Sequence, residues 1–286
     1  MVEEISVLRS RYPRVARRLA APGRAMDRVG HQGWFFYQGF RQMGHAARTY
    51  RMEMLRIIAE MGMGTGALAI IGGTVVIVAF MTLSAGALLA IQGFASLGDI
   101  GVEALTGFFA AFINVRIVVP VTAGIALAAT IGAGATARLG AMRISEEIDA
   151  LEVMAIRSIS YVVSTRVIGG LIVIIPLYSM AVLMSFLSSQ LYTTLLAGQS
   201  SGVYDHYFYT FLRPTDLMWS FVQAITMSVT VMLIHCYYGF HASGGPSGVG
   251  HAVGRAVRAS LVAVVMVTLL VSLAVYGTSG NFNLAG

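Results

Sequence analysis

Residues 143–154 form an acidic segment between two hydrophobic stretches. Of all parts of this chain, this segment is the best suited to bind a partner. Its apolar residues recur at helical spacing and form one stripe: Ile144, Ile148, Leu151 and Ala155. Three acids lie off that stripe: Glu146, Glu147 and Asp149. The pattern indicates molecular recognition, since such a helix can lie on a membrane or dock into a groove on a soluble partner. A solvated loop helix is the alternative interpretation.

Nucleotide chemistry by this chain is not expected. A Walker A loop needs a lysine to hold nucleotide phosphates, but all 19 basic residues here are arginine. The Gly-rich run at residues 132–135 is therefore interpreted as small residues that let helices approach closely. We expect no ATP hydrolysis and no bound cofactor in this chain.

Metal and covalent chemistry are not indicated either. The single cysteine, Cys236, excludes an internal disulfide framework and a cysteine-rich metal site. Four histidines are too dispersed for a metal site, and interhelical hydrogen bonds are expected instead: His206, His235, His241 and His251. No group of residues suggests covalent catalysis, so the chain is not expected to be an enzyme.

The composition is that of an all-α integral membrane protein. Hydrophobic residues make up 57% of the chain and charged residues only 11%, against roughly 25% charged in ordinary soluble domains. The mean hydropathy is +0.76. About 20 apolar residues cross a bilayer core, and gaps between charges predict five spans, near 64–91, 117–138, 162–188, 217–238 and 256–277.

The distribution of arginine predicts the orientation in the membrane. Eleven arginines precede the first span, and the positive-inside rule then places the N-terminus in the cytoplasm. Five spans put the C-terminus on the opposite, periplasmic side. The acidic segment is expected to face the cytoplasm, and the uncharged tail Asn281–Gly286 to face outward.

Three regions are predicted along the chain. Residues 1–33 form a basic cytoplasmic segment, residues 34–62 an amphipathic helix in the membrane interface, and residues 63–286 a five-span domain. The apolar stripe of the interfacial helix steps at helical spacing: Phe36, Phe40, Met43, Ala47, Tyr50, Met54, Ile58 and Met61. Arginines occupy most of the other face, which favours contact with anionic headgroups. A soluble core is the weaker alternative, because no second soluble element could cover the stripe.

Several motifs resemble the MlaE or YrbE permease family. Residues 138–142 resemble the small-residue turn after its second span, and residues 146–151 (Glu-Glu-Ile-Asp-Ala-Leu) resemble its coupling helix. Residues 91–94 (Ile-Gln-Gly-Phe) resemble the end of its first span. Residues 236–240 and 244–250 (Gly-Gly-Pro-Ser-Gly-Val-Gly) resemble the loop between its last two spans. The resemblance covers about residues 30–280.

The chain departs from the family pattern at charged positions. Where the family reads Arg-Glu-Leu-Gly-Pro, residues 116–120 read Arg-Ile-Val-Val-Pro, so the acid is lost at Ile117. Three further family charges are changed or lost, at Thr130, Arg138 and Gln223. These changes favour a heterodimer with a paralogous YrbE chain that supplies the acid. The chain is most similar to the YrbE B-type chain of actinobacterial Mce lipid importers.

The resemblance implies a function and a set of partners. The chain is expected to be the permease of an ABC transporter in the bacterial inner membrane that imports fatty acids, mycolic-acid-type lipids or sterols. Two cytoplasmic ATPases, which bind ATP and magnesium, should dock on Ile144 and residues 146–151 (Glu146, Glu147, Ile148, Asp149 and Leu151). MCE-domain proteins, expected as a heterohexamer, should form a lipid tunnel outside. Nucleic acid is not an expected partner. Three residues match family positions on the lipid path: Gln92, Arg116 and Pro120.

Two other functions remain open at this stage. A secondary transporter usually carries intramembrane acids that bind coupling ions, but the five predicted spans contain no Asp or Glu, and Asp216 only borders the fourth. A non-transporting scaffold that anchors MCE proteins is compatible with the sequence. Stimulation of ATPase activity in a reconstituted complex would separate a scaffold from a permease.

Overall fold

The computed structural model of the chain describes residues 21–63 and 73–277. Three parts of the sequence predictions lie outside these residues: most of the basic segment (1–20), the predicted start of the first span at 64, and the tail Asn281–Gly286. The described residues are almost entirely helical, which confirms the predicted all-α membrane class.

Five helices of the described residues are long and apolar enough to cross a bilayer: Thr74–Gly98 (span 1), Glu103–Ile144 (span 2), Ile159–Leu196 (span 3), Pro214–Phe240 (span 4) and Gly245–Val275 (span 5). The number of spans is as predicted, but their ends are not. Span 1, predicted to end near 91, continues as a helix to Gly98, and span 2 begins at Glu103 rather than near 117. A charge does not end a helix, so gaps between charges underestimate helix length.

Spans 2 and 3 are continuous helices with local π-helical turns. In span 2 these are Asn114–Val118 and Ala128–Gly132, and in span 3 they are Ile159–Ser164 and Tyr192–Leu196. A π turn accommodates one extra residue and changes the face that follows it. The sequence periodicity of these two spans therefore does not continue in one phase from end to end.

The spans approach one another closely where glycines lie. A Cβ atom on Gly86 of span 1 would come within 2.5 Å of the Ser185 carbonyl oxygen in span 3. A Cβ atom on Gly239 of span 4 would come within 2.9 Å of the Thr136 carbonyl oxygen in span 2. Small residues at these crossings allow the backbones to pack, as is common between membrane helices.

Short helices lie at the two ends of the bundle. Helices α1 (Ala21–Arg41), α2 (Met43–Thr49), α3 (Arg51–Met63) and α4 (Glu147–Val153) share one end, which we call the α4 end. Helix α5 (Ser201–Phe211) lies at the other, the α5 end. Helix α5 was not predicted from the sequence, which indicated no helix between the third and fourth spans. It packs on the first part of span 2, where its Phe208 and Tyr204 are buried.

The predicted single interfacial helix at 34–62 is instead parts of α1, α2 and α3, with breaks at Gln42 and Tyr50. The breaks shift the helical phase, so the predicted apolar stripe is only partly correct. Phe40 of that stripe is 61% exposed, whereas Phe35 is buried against the rings of Tyr237 and Phe240 in span 4. Part of this region therefore packs on the spans themselves.

Candidate functional site

Helix α4 is a short acidic helix held between two turns in the connection from span 2 to span 3. It begins after Glu146, which has a left-handed backbone (φ 62°), and it is followed by Ala155 with φ 58°. Non-glycine residues rarely adopt this conformation. The connection therefore folds back sharply at both ends of α4, and the helix lies across the end of the bundle.

The acids of the acidic segment are engaged by local partners. Arg143 forms an ion pair with Asp149 at 2.5 Å, and Ser145 donates a hydrogen bond to Glu147 at 2.9 Å. Ser158 donates a hydrogen bond to Glu152 at 2.7 Å. Glu146, Glu147 and Asp149 are exposed. The acidic surface predicted from the sequence is thus available to a partner.

The predicted apolar stripe of the acidic segment needs correction. Ile144 belongs to the last turn of span 2 and Ala155 lies beyond α4, so neither is part of that helix. Ile148 is completely buried and Leu151 is half-buried against the core of the bundle. The stripe therefore anchors α4 to its own chain, and Ile148 cannot also be a surface contact for an ATPase.

Two exposed apolar residues of α4 and its C-terminal end were missed. Val153 is 87% exposed and Met154 is 62% exposed. They follow Leu151, the last stripe residue that lies within α4, and they lie where the helix ends and the chain turns. The feature of the sequence that could have identified them is a pair of adjacent apolar residues at the end of a charged helix. These two residues are the most exposed large apolar side chains of the acidic segment.

A cavity of about 720 Å³ lies directly behind α4. Its walls come from α3, the second half of span 2, α4 and the start of span 3. Glu60 of α3 and Arg138 of span 2, both of which line it, form an ion pair across the cavity wall. The side chains of these two residues are 23% and 45% exposed, so the pair lies near the cavity rim.

Arg166, at the beginning of span 3, also lines this cavity but is only 8% exposed. Its guanidinium donates to the Val162 carbonyl oxygen at 2.7 Å and approaches the Met142 sulfur at 3.7 Å. Among the side chains that the structure describes, none provides a carboxylate within 4 Å of it. Arg166 is not among the site residues predicted from the sequence.

The α5 end carries a different arginine site. Arg116 of span 2 donates to Asp216 of span 4 at 2.7 Å, and its guanidinium carbon lies 3.7 Å from the centre of the Phe112 ring. The side chains of the pair are 14% and 12% exposed. The prediction that Arg116 lacks a counter-charge in its own chain is therefore wrong, because Asp216 supplies one from 100 residues away.

The three residues assigned to the lipid path lie in different surroundings. Gln92 is exposed on span 1, where it donates a hydrogen bond to Ser96 at 3.1 Å. Pro120 is buried inside the bundle, two residues after a π turn. Arg116 is engaged in the ion pair with Asp216. Of the three, only Gln92 is exposed.

One of the four histidines expected to form interhelical hydrogen bonds does so in the interior of the bundle. His235 of span 4 and Thr136 of span 2 approach within 2.7 Å, and both are fully buried. His241 instead bonds the Tyr237 carbonyl oxygen within its own helix. Cys236, next to His235, is also fully buried. The predicted interhelical hydrogen bond is confirmed for His235, which ties span 4 to span 2.

Comparison with known proteins gives one consistent result. The family described as "Permease MlaE" matches residues 63–274. A protein of Rickettsia bellii, named a probable ABC transporter permease protein, is 28% identical over 196 residues, which cover 68% of this chain and 76% of that protein. The intermembrane phospholipid transport system permease protein MlaE of Haemophilus influenzae is 27% identical over 197 residues, with 66% and 73% covered. The chloroplastic protein TRIGALACTOSYLDIACYLGLYCEROL 1 of Arabidopsis thaliana is 29% identical over 153 residues, with 54% and 44% covered.

Proposed function

Because this chain belongs to the MlaE permease family, we propose that it is the membrane subunit of an ABC transporter that imports lipids. In this proposal the substrates are fatty acids, mycolic-acid-type lipids or sterols, which enter through a tunnel of MCE-domain proteins. The import direction and these substrates are supported by the likeness of its motifs to YrbE chains of Mce systems. ATP hydrolysis takes place in partner subunits that dock at the α4 end.

The observation that carries the proposal is the exposed tip of α4. A permease without a nucleotide site needs a rigid contact through which the motion of an ATPase reaches the spans. Helix α4 is anchored by the fully buried Ile148, while Val153 and Met154 are exposed beside three exposed acids. An apolar pair within a charged rim is the arrangement found at protein interfaces. We therefore assign the ATPase contact to Val153 and Met154, with Glu146, Glu147 and Asp149 as its charged rim.

Co-purification of the ATPase tests this surface. We expect the double variant Val153→Ser, Met154→Ser to lose most of the ATPase that co-purifies in mild detergent. A matched control is Leu195→Ser, Leu196→Ser, which changes two apolar residues that are 73% and 78% exposed at the α5 end. The control should retain the ATPase. Equal retention by both double variants would remove α4 as the coupling element.

The orientation that we propose places the α4 end in the cytoplasm. The arginine-rich N-terminal region, α1–α3 and α4 then share the cytoplasmic side, and α5 lies on the periplasmic side near the MCE proteins. This orientation is supported by the excess of arginine around α1–α4, which follows the positive-inside rule. It also brings the acidic rim of α4 to the compartment that contains the ATPases.

We propose that the lipid path on the outer side passes Gln92. Its exposed amide on span 1 can bind a polar headgroup, whereas Arg116 and Pro120 lie behind the surface and shape the wall. A photocrosslinker at residue 92 should capture lipid more strongly than one at Leu88, which is 65% exposed on the same span. Equal capture at both positions would indicate ordinary bilayer contact.

We propose a paralogous permease chain as the partner, although the missing acid at Ile117 no longer supports this proposal. Asp216 already neutralises Arg116, and Glu60 neutralises Arg138. The heterodimer proposal now depends on the resemblance to paired YrbE chains alone. Native mass spectrometry of this chain expressed with its ATPase distinguishes a homodimer from a chain that requires a second permease. An ATPase-active complex with two copies of this chain would establish the homodimer.

A further inference from the structure

We propose that the cavity behind α4 is a binding site for the anionic head of a single amphiphile, a carboxylate or a phosphate, which pairs with Arg166. This proposal rests on the proposed lipid-transport function and adds to it a site at the cytoplasmic end of the bundle. The site lies at the opposite end of the spans from the lipid path assigned to Gln92.

The first observation is the unmatched charge of Arg166. A buried charge is costly unless it is paired, and this guanidinium is only 8% exposed. Its bonds go to a carbonyl oxygen and a thioether sulfur, which are neutral acceptors. A guanidinium carries five donors in a planar fork suited to carboxylate and phosphate. An anion in the cavity would supply the direct ion-pair partner that Arg166 lacks among the described side chains.

The second observation is that each acid lining the cavity already has another donor. Glu60 is paired with Arg138, and Glu53 lies 3.6 Å from Arg56. Glu147 accepts a hydrogen bond from Ser145 at 2.9 Å. The cavity lining has three arginines and three acids in all. Of the three arginines, only Arg166 lacks a carboxylate within ion-pair distance among the described side chains.

The third observation is the shape and apolar lining of the cavity. Its volume of about 720 Å³ is within the range of small-molecule sites, roughly 300–1,000 Å³. Apolar side chains from three elements line it: Ile57, Met61, Ile131, Ala135, Met142 and Leu151. A charged head at Arg166 and an alkyl segment along these side chains would both be accommodated. A small hydrophilic anion would leave the apolar walls unmatched.

The position of the cavity connects this site to ATP-driven motion. Ala150, Leu151 and Met154 belong to α4 or its end and also line the cavity. Met154 additionally belongs to the surface proposed for the ATPase. A displacement of α4 would therefore change the volume around the bound head. The site is thus placed where an amphiphile can be released or retained according to the state of the ATPase.

Photolabelling of the assembled transporter in nanodiscs tests the proposal with defined probes. Three probes share one diazirine-bearing acyl chain: a free fatty acid, its methyl ester, and a phosphatidylglycerol. We expect labelling of peptides from residues 131–142 and 150–154 by the fatty acid or the phosphatidylglycerol, and none above background by the ester. Labelling by only one anionic probe identifies the source of the head, a free carboxylate or a membrane phosphodiester. Equal labelling by ester and acid would overturn the proposal.

Two variants assign the labelling to this cavity. Arg166→Gln should reduce labelling by the anionic probe about tenfold or more, as expected for loss of a charge-assisted hydrogen bond. Gly134→Leu leaves Arg166 untouched and should also abolish labelling, because Gly134 lines the cavity and a Cβ atom there meets nothing within 4 Å. Arg258→Gln, at an exposed arginine of span 5, is the matched control. Unchanged labelling in Gly134→Leu would place the probe elsewhere.

The same preparation separates failure of this site from failure of the proposed function. ATP-dependent lipid transfer and photolabelling are measured on one sample. Transfer without head-dependent labelling at the cavity would overturn the cavity site and leave the permease function standing. Labelling sensitive to Arg166→Gln in a complex that never transfers lipid would support the binding site and count against transport.

Discussion

The two ends of span 2 each carry an arginine that is paired with an acid from another element, but in opposite surroundings. At the α5 end, Arg116 and Asp216 are 14% and 12% exposed and join span 2 to span 4. At the α4 end, Arg138 and Glu60 are 45% and 23% exposed and join span 2 to α3 beside the cavity. One pair is enclosed by helices, and the other lies at the rim of an opening.

The difference shows where this permease is closed and where it is accessible. An enclosed ion pair loses its hydration on folding, so removal of one partner leaves a costly buried charge. A pair near solvent is screened and contributes little. Within this chain, the ion pair at the α5 end is therefore enclosed, whereas the ion pair at the α4 end is accessible to solvent.

The largest effect is expected at the enclosed pair. Asp216→Ala should lower the free energy of unfolding by about 3–5 kcal/mol, because the guanidinium of Arg116 stays buried after losing its carboxylate partner. Thermal unfolding of the purified protein in mild detergent measures this loss. The double variant Arg116→Met, Asp216→Leu should recover most of it. An unchanged unfolding temperature in Asp216→Ala would show that the α5 end is hydrated.

An effect of intermediate size is expected at Gly132, which faces span 4. No loss of stability is expected at Gly134, which lines the cavity on another face of span 2. A Cβ atom on Gly132 would come within 2.5 Å of the His235 ring, which Thr136 holds in place. Gly132→Ala should therefore cost about 1–3 kcal/mol. Gly134→Ala is the matched control and should be neutral or stabilising by up to about 1 kcal/mol, since its Cβ meets open space. A loss of equal size in both variants would mean that the cavity is filled by protein.

The smallest effect is expected at the exposed pair. Glu60→Gln should change the free energy of unfolding by less than about 1 kcal/mol, and the difference should shrink further as salt is added. Unfolding curves of Glu60→Gln and the native protein at low and high ionic strength measure it. A salt-independent loss as large as that of Asp216→Ala would erase the contrast between the two ends.

The class of this protein and the position of its exposed acidic segment could be predicted from the sequence, for physical reasons. Long uncharged stretches can only be buried in lipid or in other helices, so the five spans were visible without any structure. The acidic segment was found because a charged, amphipathic helix between such stretches is uncommon. Its surface acids, such as Glu147 and Asp149, lie where they were expected.

Long-range contacts and local backbone breaks could not be found in the same way. The partner of Arg116 is 100 residues away, and the ion pair of Arg138 reaches into α3, so neither follows from neighbouring residues. The left-handed backbone at Glu146 separates span 2 from α4. Ile144 therefore lies outside α4, and Ile148 is buried. Arg166 is absent from the site predicted from the sequence, because its burial depends on how span 3 packs.

The full enclosure of Cys236 leaves the native chain without a thiol that thiol-selective reagents can reach. Its only thiol has no exposed surface, and buried thiols react poorly. With no lysine in the chain, amine-reactive reagents find no side chain either. A cysteine introduced at position 153 or 196 would thus be the only thiol that a maleimide can reach. Treatment of intact cells with a membrane-impermeant maleimide would then reveal which end of the bundle faces the medium.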